Sequence, residues 1–441
     1  MGTTTLLSLD QKLLEATGDW LQVTVTTAIA ASKLIVSTAL NQYDQSQNGI
    51  FDKRWVYIED YANAGVSRLL GSTTYATSTG TAYVYHSNLA TDTANLATVR
   101  ISRSSWADRK DALTRAISYL YPNLYKSIDD KTLILGNILP DGHFESWSSA
   151  TALTHYSTSN ATLTKTSTAG LIRGGTYSCK ITAGAANGYL YISSDTRPEL
   201  LDLRNTTISF KCWAYPEVAD DFNLVIYTIK PDGTAQTLPS TTTTYAGKYN
   251  LVELEDQAIN DDIEEIQFRF KVTTNTKYVY VDDAWVNGVS VYDLLLPDAL
   301  RNGGIDRVKY QVSGEIEDLG TQEYADIYGW DKRDDGVYSW LHLPSAYASK
   351  SEKRVHLIGT QPYESLSASS DTISTNNAGE IELIIAYAKY ILYQKGKGPV
   401  SSMDKESYER EMSNAYGDYI RLLGRHSKPV RSGTIHINPL S

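Results

Sequence analysis

The sequence predicts an α+β protein that is mainly β, in which a small antiparallel β-domain and a helical hairpin form a host domain around an inserted β-sandwich. Short runs that alternate polar and apolar residues occupy most of the 441-residue chain. Helical periodicity replaces this alternation in a few stretches, and Thr, Ser, Tyr and Gly dominate one long central segment. The chain is too long for one ordinary core. We therefore predict three segments: 1–134, 135–288 and 289–441.

The first segment begins with a short helix over residues 8–16, followed by alternating stretches up to about residue 103. These stretches predict a small antiparallel barrel or sandwich. Ser105 lies three residues before Asp108 and is a plausible N-cap for a helix with an apolar stripe, which Pro122 ends.

The central and last segments differ in pattern. Eight or so short alternating strands between residues 135 and 286 predict a β-sandwich. After further strand-like runs, residues 380–394 form a strongly apolar helical pattern, and Ser402 is a candidate cap for a second helix that ends at Gly424. The tail from His426 onward is predicted to be extended.

Composition excludes several function classes. A net charge of −11 argues against a broad nucleic-acid surface, although one small basic patch stays compatible with it. Cys179 and Cys212 lack metal-ligand spacing and are predicted to be small apolar core residues. The N-terminus has no signal-peptide pattern, and no apolar run is long enough to span a membrane.

Tyrosine is unusually abundant, with 32 residues against 6 Phe and 8 Trp. Its apolar ring and polar tip suit half-buried strands, and they equally suit an extensive contact surface with protein or sugar. Both interpretations stay open. In the central segment, Trp213, Tyr189 and Tyr227 are the candidate glycan-binding residues, with burial in the core as the alternative.

Catalytic signatures are missing from the sequence. It contains no phosphate-binding loop, dinucleotide-binding pattern, nucleophile elbow or zinc motif, and its seven histidines are scattered. We therefore expect a protein that is not an enzyme.

Carboxylates lie near both ends of the predicted sandwich. Asp141, His143 and Glu145 alternate close to its start, and Asp282 with Asp283 is close to its end. Oxygen ligands from both ends could close a structural calcium site, or they could be ordinary charges at turns. A carboxylate pair is also the machinery of glycoside hydrolysis, but nothing in the sequence fixes the separation that this reaction needs.

Two segments are candidates for contacts with neighbouring proteins. The run from Asp326 to Trp340 contains Trp330 and Trp340 among alternating charges, which predicts either a hairpin with a solvated turn or a docking loop. Near the C-terminus, the basic residues Arg425, Lys428 and Arg431 stand out on an acidic chain and could contact an acidic neighbour or DNA.

The central segment resembles the carbohydrate-binding-module superfamily of galactose-binding-like jelly rolls. The matching residues are Asn137, Leu139, Asp141, Gly142, Phe144, Glu145 and Trp147 at its start, and Tyr280, Asp282 and Asp283 at its end. This resemblance implies a jelly-roll fold, a surface glycan as ligand, and a structural Ca²⁺ held by Glu145 with Asp282 or Asp283.

The outer segments resemble virion proteins at the head–tail junction of tailed phages. The resemblance lies in the order of WVYIEDYANAGVSRLL, RKDALTRAISYLYPNLY, VHLIGTQPYESLS and EIELIIAYAKYILY. It implies a neck or adaptor subunit of the virion, made in the host cytoplasm and assembled as a homo-oligomeric ring below the portal. Its partners would be the portal, other neck or tail proteins and DNA in the channel, with no membrane. The alternatives are a tail-tip or fibre component that binds host surface glycans, and a glycan-active enzyme.

Overall fold

A computed structural model describes residues 2–29, 34–42, 51, 53–76, 80–85, 88–92, 95–301, 303–314, 322–396 and 405–428. The chain divides into two compact units. The first unit combines residues 1–126 with 362–430, and the second contains residues 127–361. No helix among the described residues has the length and apolar character needed to cross a membrane.

The first unit opens with a capped helix and a six-stranded antiparallel sheet. Its N-terminal elements are β1 Thr4–Thr5, α1 Leu6–Ala16, β2 Gln22–Thr24, β3 Leu34–Val36, β4 Trp55–Ile58, β5 Ser67–Ala76, β6 Thr81–Val84, β7 Thr98–Ser102 and α2 Trp106–Tyr119. The sheet order is β2-β7-β4-β5-β6-β3. The predicted cap is confirmed, because Ser105 Oγ accepts a hydrogen bond from the Asp108 amide. Helix α1 starts at Leu6, earlier than predicted, because Thr5 caps it.

The second unit begins with two short strands and then builds two stacked sheets. The elements up to the end of the sandwich are β8 Lys126–Asp130, β9 Ile134–Leu135, β10 Trp147–Ser149, β11 Ala152–Leu153, β12 Ser157–Ser159, β13 Ala161–Thr166, β14 Ser178–Ala183, β15 Gly188–Ser193, β16 Thr207–Pro216, β17 Phe222–Ile229, β18 Ala235–Pro239, β19 Asn250–Ala258, β20 Glu265–Val272 and β21 Tyr278–Asn287. One five-stranded sheet has the order β12-β15-β20-β17-β18, and the other β13-β14-β21-β16-β19.

The remaining elements of the second unit follow the sandwich. They are β22 Asp293–Leu295, α3 Asp298–Arg301, β23 Gly304–Ser313, β24 Glu323–Asp326, β25 Asp331–Asp334, β26 Ser339–His342, α4 Ser345–Ala348 and β27 Lys353–Gln361. They form the sheets β22-β26-β25 and β24-β23-β27-β8, and β9 also pairs with β27. Residues 289–361 thus group with the sandwich in one compact unit, whereas the sequence predicts that they belong to the host domain. The predicted boundaries themselves stay a prediction.

Three elements complete the first unit: β28 Thr372–Ile373, α5 Ala378–Gln394 and α6 Lys405–His426. Helices α1, α2 and α5 bury a shared core that includes Leu9, Leu113 and Ile384. Helix α6 runs through Gly424 instead of ending there, and the predicted cap Ser402 lies outside the described residues. The mainly β fold with a sandwich is confirmed, whereas a helical hairpin as host domain stays a prediction.

The core of the sandwich follows from the two-residue period of its strands. Apolar side chains from both sheets, such as Leu190, Phe210 and Phe268, point inward and are fully buried. Cys179 and Cys212 are free thiols in this core, so their predicted role as small apolar residues is confirmed. The alternate residues of each strand consequently point outward.

Candidate functional site

One outer face of the sandwich collects half-buried aromatic and basic side chains. It belongs to the sheet that contains β15, β20 and β17, whose inward residues fill the core. Six of the outward residues are half-buried, and we call them the tyrosine–arginine face: Tyr189, Tyr191, Tyr227, Gln267, Arg269 and Lys271.

Arg269 lies at the centre of this face between two tyrosine rings. Its Cζ atom is 3.7 Å from the ring centroid of Tyr227 and 4.7 Å from that of Tyr189. The strand register produces this arrangement, because Arg269 lies opposite Tyr191 on β15 and Val225 on β17. The neighbouring rings of Tyr189 and Tyr191 are 5.5 Å apart at their centroids. The face therefore presents a guanidinium held by cation–π contacts.

Within the described ranges, most polar atoms of the tyrosine–arginine face have no hydrogen-bond partner in the protein. Arg269 donates from Nε to Gln267 Oε1 at 2.7 Å. Over the part of the chain that the structure describes, neither its terminal Nη atoms nor the hydroxyls of Tyr189 and Tyr227 hydrogen-bond to protein. Half-exposed rings beside open donors and acceptors suit a ligand with apolar patches and hydroxyl groups.

The outer face of the other sheet is aromatic as well, but part of it is covered. Lys180 Nζ lies 3.9 Å from the ring centroid of Tyr278. Further along the same sheet, Lys211 Nζ and the side-chain nitrogens of Trp285 and Asn287 all contact Glu352, which lies outside the sandwich. Among the described residues, no hydrogen bond or ion pair joins the tyrosine–arginine face to a residue outside the sandwich.

The structure separates Trp213 from the two tyrosines with which it was grouped. It lies on β16 in the second sheet, with the Arg173 guanidinium carbon 3.6 Å from its ring centroid. Its partly buried ring packs beside the buried pair Ile134 and Trp285. Tyr189 and Tyr227 thus share one face, and Trp213 belongs to the opposite side of the sandwich.

The carboxylates predicted to bind calcium are engaged with protein donors. Glu145 Oε1 accepts from the backbone amides of Thr176 and Tyr177 at 2.6 and 2.9 Å. Asp282 Oδ2 accepts from the amides of Arg173 and Gly174 at 2.6 and 3.1 Å. Among the described residues, no group of three or more His, Cys, Asp or Glu side chains is arranged to hold a metal ion. The arrangement therefore gives the calcium prediction no support.

Asp283 lies at the centre of a buried ion network and not in a group of metal ligands. Its carboxylate contacts Arg354 on β27, and its Oδ1 lies 3.2 Å from His143 Nε2. Burial would raise the pKa of Asp283, but His143 and Arg354 lower it below its usual value. Burial lowers the pKa of His143 to about 4, so its imidazole is neutral at pH 7. The network joins the last sandwich strand to β27.

Two further carboxyls near the start of the sandwich have raised pKa values. Burial raises the pKa of Asp141 to about 8, against hydrogen bonds from the amides of Ser146 and Glu145. Burial likewise raises the pKa of Glu145 to about 7. Both groups are therefore partly protonated near neutral pH.

Trp340 lines a cavity of about 680 Å³ in the second unit. Some of its charged lining residues are paired: Trp340 Nε1 donates to Asp335 Oδ2 at 2.8 Å, and Arg197 lies 3.6 Å from Glu199. Trp330 packs against the core under the sheet of β23 and β27. The predicted hairpin is confirmed, because β25 pairs with β26 in antiparallel register.

The basic residues at the C-terminus have separate environments. Arg425 is exposed on α6, whereas Lys428 Nζ forms an ion pair with Glu380 Oε1 at 3.0 Å and donates to the Tyr125 carbonyl at 2.7 Å. Arg431 lies outside the described residues. Lys428 is thus part of the first unit's own structure.

Sequence reasoning missed Arg269 and Arg354. A signal for Arg269 existed, since it alternates with Phe268 and Phe270 and must point outward. The sequence contained no signal for Arg354, because its partner Asp283 is distant along the chain.

Comparison with known proteins gives structural neighbours only. No family model matches the chain, and no curated protein matches it. The enzymatically active domain of tailspike protein 4 from bacteriophage CBA120 is 11% identical to this chain, with a TM-score of 0.25. The match covers 35% of this chain and only 22% of the tailspike chain. A xylan-binding domain of carbohydrate-binding module family 22 is 13% identical with a TM-score of 0.27, covering 34% of this chain and 97% of its own. The tandem of two such modules from Xyn10C of Paenibacillus barcinonensis is 10% identical with a TM-score of 0.29, covering 55% and 95%.

Proposed function

We propose that this chain binds glycans, without catalysis, through the tyrosine–arginine face, and that it acts as a tail-tip or fibre component of a phage particle. The observation that supports binding is the arrangement of Arg269 between Tyr189 and Tyr227 on the outer face of this sheet. Tyrosine rings stack on the C–H surfaces of sugars, and the open hydroxyls and guanidinium can bond to sugar oxygens.

The virion role in this proposal comes from the resemblance of the outer segments to tailed-phage proteins. Two virion roles are considered. A tail-tip or fibre component would use the tyrosine–arginine face to bind a host surface glycan, whereas a purely internal ring subunit would not use it. Recognition of a host surface also requires no acid–base pair, in keeping with the proposal of binding without catalysis.

A head–tail junction subunit is the second candidate, favoured by one observation. On helix α6, the exposed fractions of the Tyr416 and Ile420 side chains are 48% and 46%. They lie next to a row of stacked tyrosines that includes Tyr387 and Tyr419. Apolar side chains grouped on a helix surface are typical of contacts between subunits. Labelling the protein in particles and locating the label by electron microscopy separates a tail-tip position from the junction.

Glycan binding is tested with paired tyrosine variants. Tyr227→Ala removes a ring from the face, and Tyr278→Ala removes a similarly half-buried ring that holds Lys180 on the opposite sheet. Binding of the full chain to immobilised polysaccharides is measured by biolayer interferometry. We expect Tyr227→Ala to weaken binding by about 30-fold, equivalent to about 2 kcal/mol of lost ring burial, and Tyr278→Ala to leave it unchanged. Equal losses in both variants would refute the assignment to this face.

A further inference from the structure

We infer that the tyrosine–arginine face selects acidic glycans, whose sugars carry carboxylates, over neutral ones. This inference rests on the proposed glycan binding, because it names the ligand class of the same face. A neutral sugar can be held by rings, hydroxyls and amides alone. A guanidinium fixed between two rings at the centre of the face indicates a ligand with negative charge at that point.

The guanidinium of Arg269 is oriented by its own neighbours. The hydrogen bond from Nε to Gln267 and the contacts with the rings of Tyr189 and Tyr227 hold it from several sides. Its terminal Nη donors are left for a ligand. Paired Nη donors match the two oxygens of a carboxylate, which a hydroxyl cannot do. Partial burial among the rings also strengthens such an ion pair relative to a fully exposed one.

The local charge of the face favours the same ligand class. Lys271 lies two residues along β20 on the same side and, over the described residues, forms no ion pair. Among the described strands of this sheet, the acidic side chain on the same face is Glu265 at the start of β20, and it already accepts from the Ser193 hydroxyl and the Gln267 amide nitrogen. Over the part of the chain that the structure describes, neither Arg269 nor Lys271 has an anionic partner, so a ligand carboxylate would fill that role.

The negative charge of the chain restricts the predicted binding of acidic glycans to the tyrosine–arginine face. With a net charge of −11, the chain repels polyanions over most of its surface. Binding of an acidic glycan therefore depends on a few local cations. It should weaken when those cations are removed and when salt screens them.

The experiment compares polysaccharides that differ in charge alone. The full chain is assayed against polygalacturonate, hyaluronate and polysialic acid, each as the free acid and as its carboxyl methyl ester, and against single-stranded DNA as an unrelated polyanion. Arg269→Gln keeps a planar amide and loses the charge, and Lys180→Gln removes a ring-stacked cation from the opposite sheet as the control. Each variant is checked for an unchanged melting temperature.

We expect at least one free acid to bind about tenfold or more tightly than its ester, since hydrogen bonds to charged groups are the stronger ones. Arg269→Gln should abolish that difference, and Lys180→Gln should keep it. If acid and ester bind equally and Tyr227→Ala still weakens both, glycan binding stands and acidic selectivity is refuted. Equal binding of single-stranded DNA also refutes selectivity for glycans. If no polysaccharide binds, the proposed function fails and the inference fails with it.

Discussion

Replacing Glu145 by Gln should stabilise the protein at pH 8 and leave its stability at pH 4 nearly unchanged. Burial raises the pKa of Glu145 from 4.5 to about 7 in the folded protein. The folded chain therefore holds this proton more tightly than the unfolded chain, and stability falls as the pH rises from about 4.5 to 7. Because Gln cannot ionise, the variant does not lose stability over this pH range.

The magnitude follows from the shift. About 2.5 pH units at about 1.36 kcal/mol each give an upper value of about 3 kcal/mol at pH 8, which partial access to water reduces. Both backbone hydrogen bonds reach the same oxygen, Oε1, and the amide oxygen of Gln can accept them equally. In a domain of this size the full value corresponds to a rise in melting temperature of about 6–12 °C.

Thermal unfolding of wild type and Glu145→Gln is followed by circular dichroism from pH 4 to 8, with and without calcium. A variant that is less stable than wild type at pH 8 would refute the reasoning, because it would mean that the Glu145 charge is favourable. If added calcium also raises the melting temperature of wild type alone, the calcium site predicted from the sequence is present. Without such a shift, Glu145 is a buried carboxyl bound to two amides.

The other predictions concern buried charges and the C-terminus. Arg354→Met leaves the buried carboxylate of Asp283 without its main cation and should destabilise the second unit by about 3–5 kcal/mol in urea unfolding; a loss under about 1 kcal/mol would contradict the network. Asp10→Asn removes the fully buried anion that two arginines contact, and should lower the stability of the first unit by a similar amount, measured in the same way. Truncation after Lys428 should preserve the melting temperature, whereas truncation after Gly424 should lower it, because only the shorter chain loses the ion pair of Lys428. Equal melting temperatures would show that this pair contributes nothing measurable.

Local patterns in the sequence were enough to predict local structure. The cap at Ser105 follows from spacing within one helix, whereas the sequence left open whether Tyr189 and Tyr227 are buried in the core. Alternation does not reveal which strands become neighbours, so it could not place Arg269 beside Tyr227 or put Trp213 on the opposite sheet. Those facts depend on pairing between strands far apart in the chain, which tertiary packing decides.

The discontinuity of the first unit has a consequence for synthesis. Helices α1 and α2 share their core with α5, yet residues 127–361 are translated between them. At about 5–20 residues per second the ribosome needs about 10–50 s for that stretch, and residues 127–361 of the second unit can fold in the meantime. The earliest part of the chain to emerge is therefore the last to finish folding. Until α5 is made, the leucines and isoleucines of α1 and α2 stay exposed on the nascent chain, and we expect chaperones to bind them.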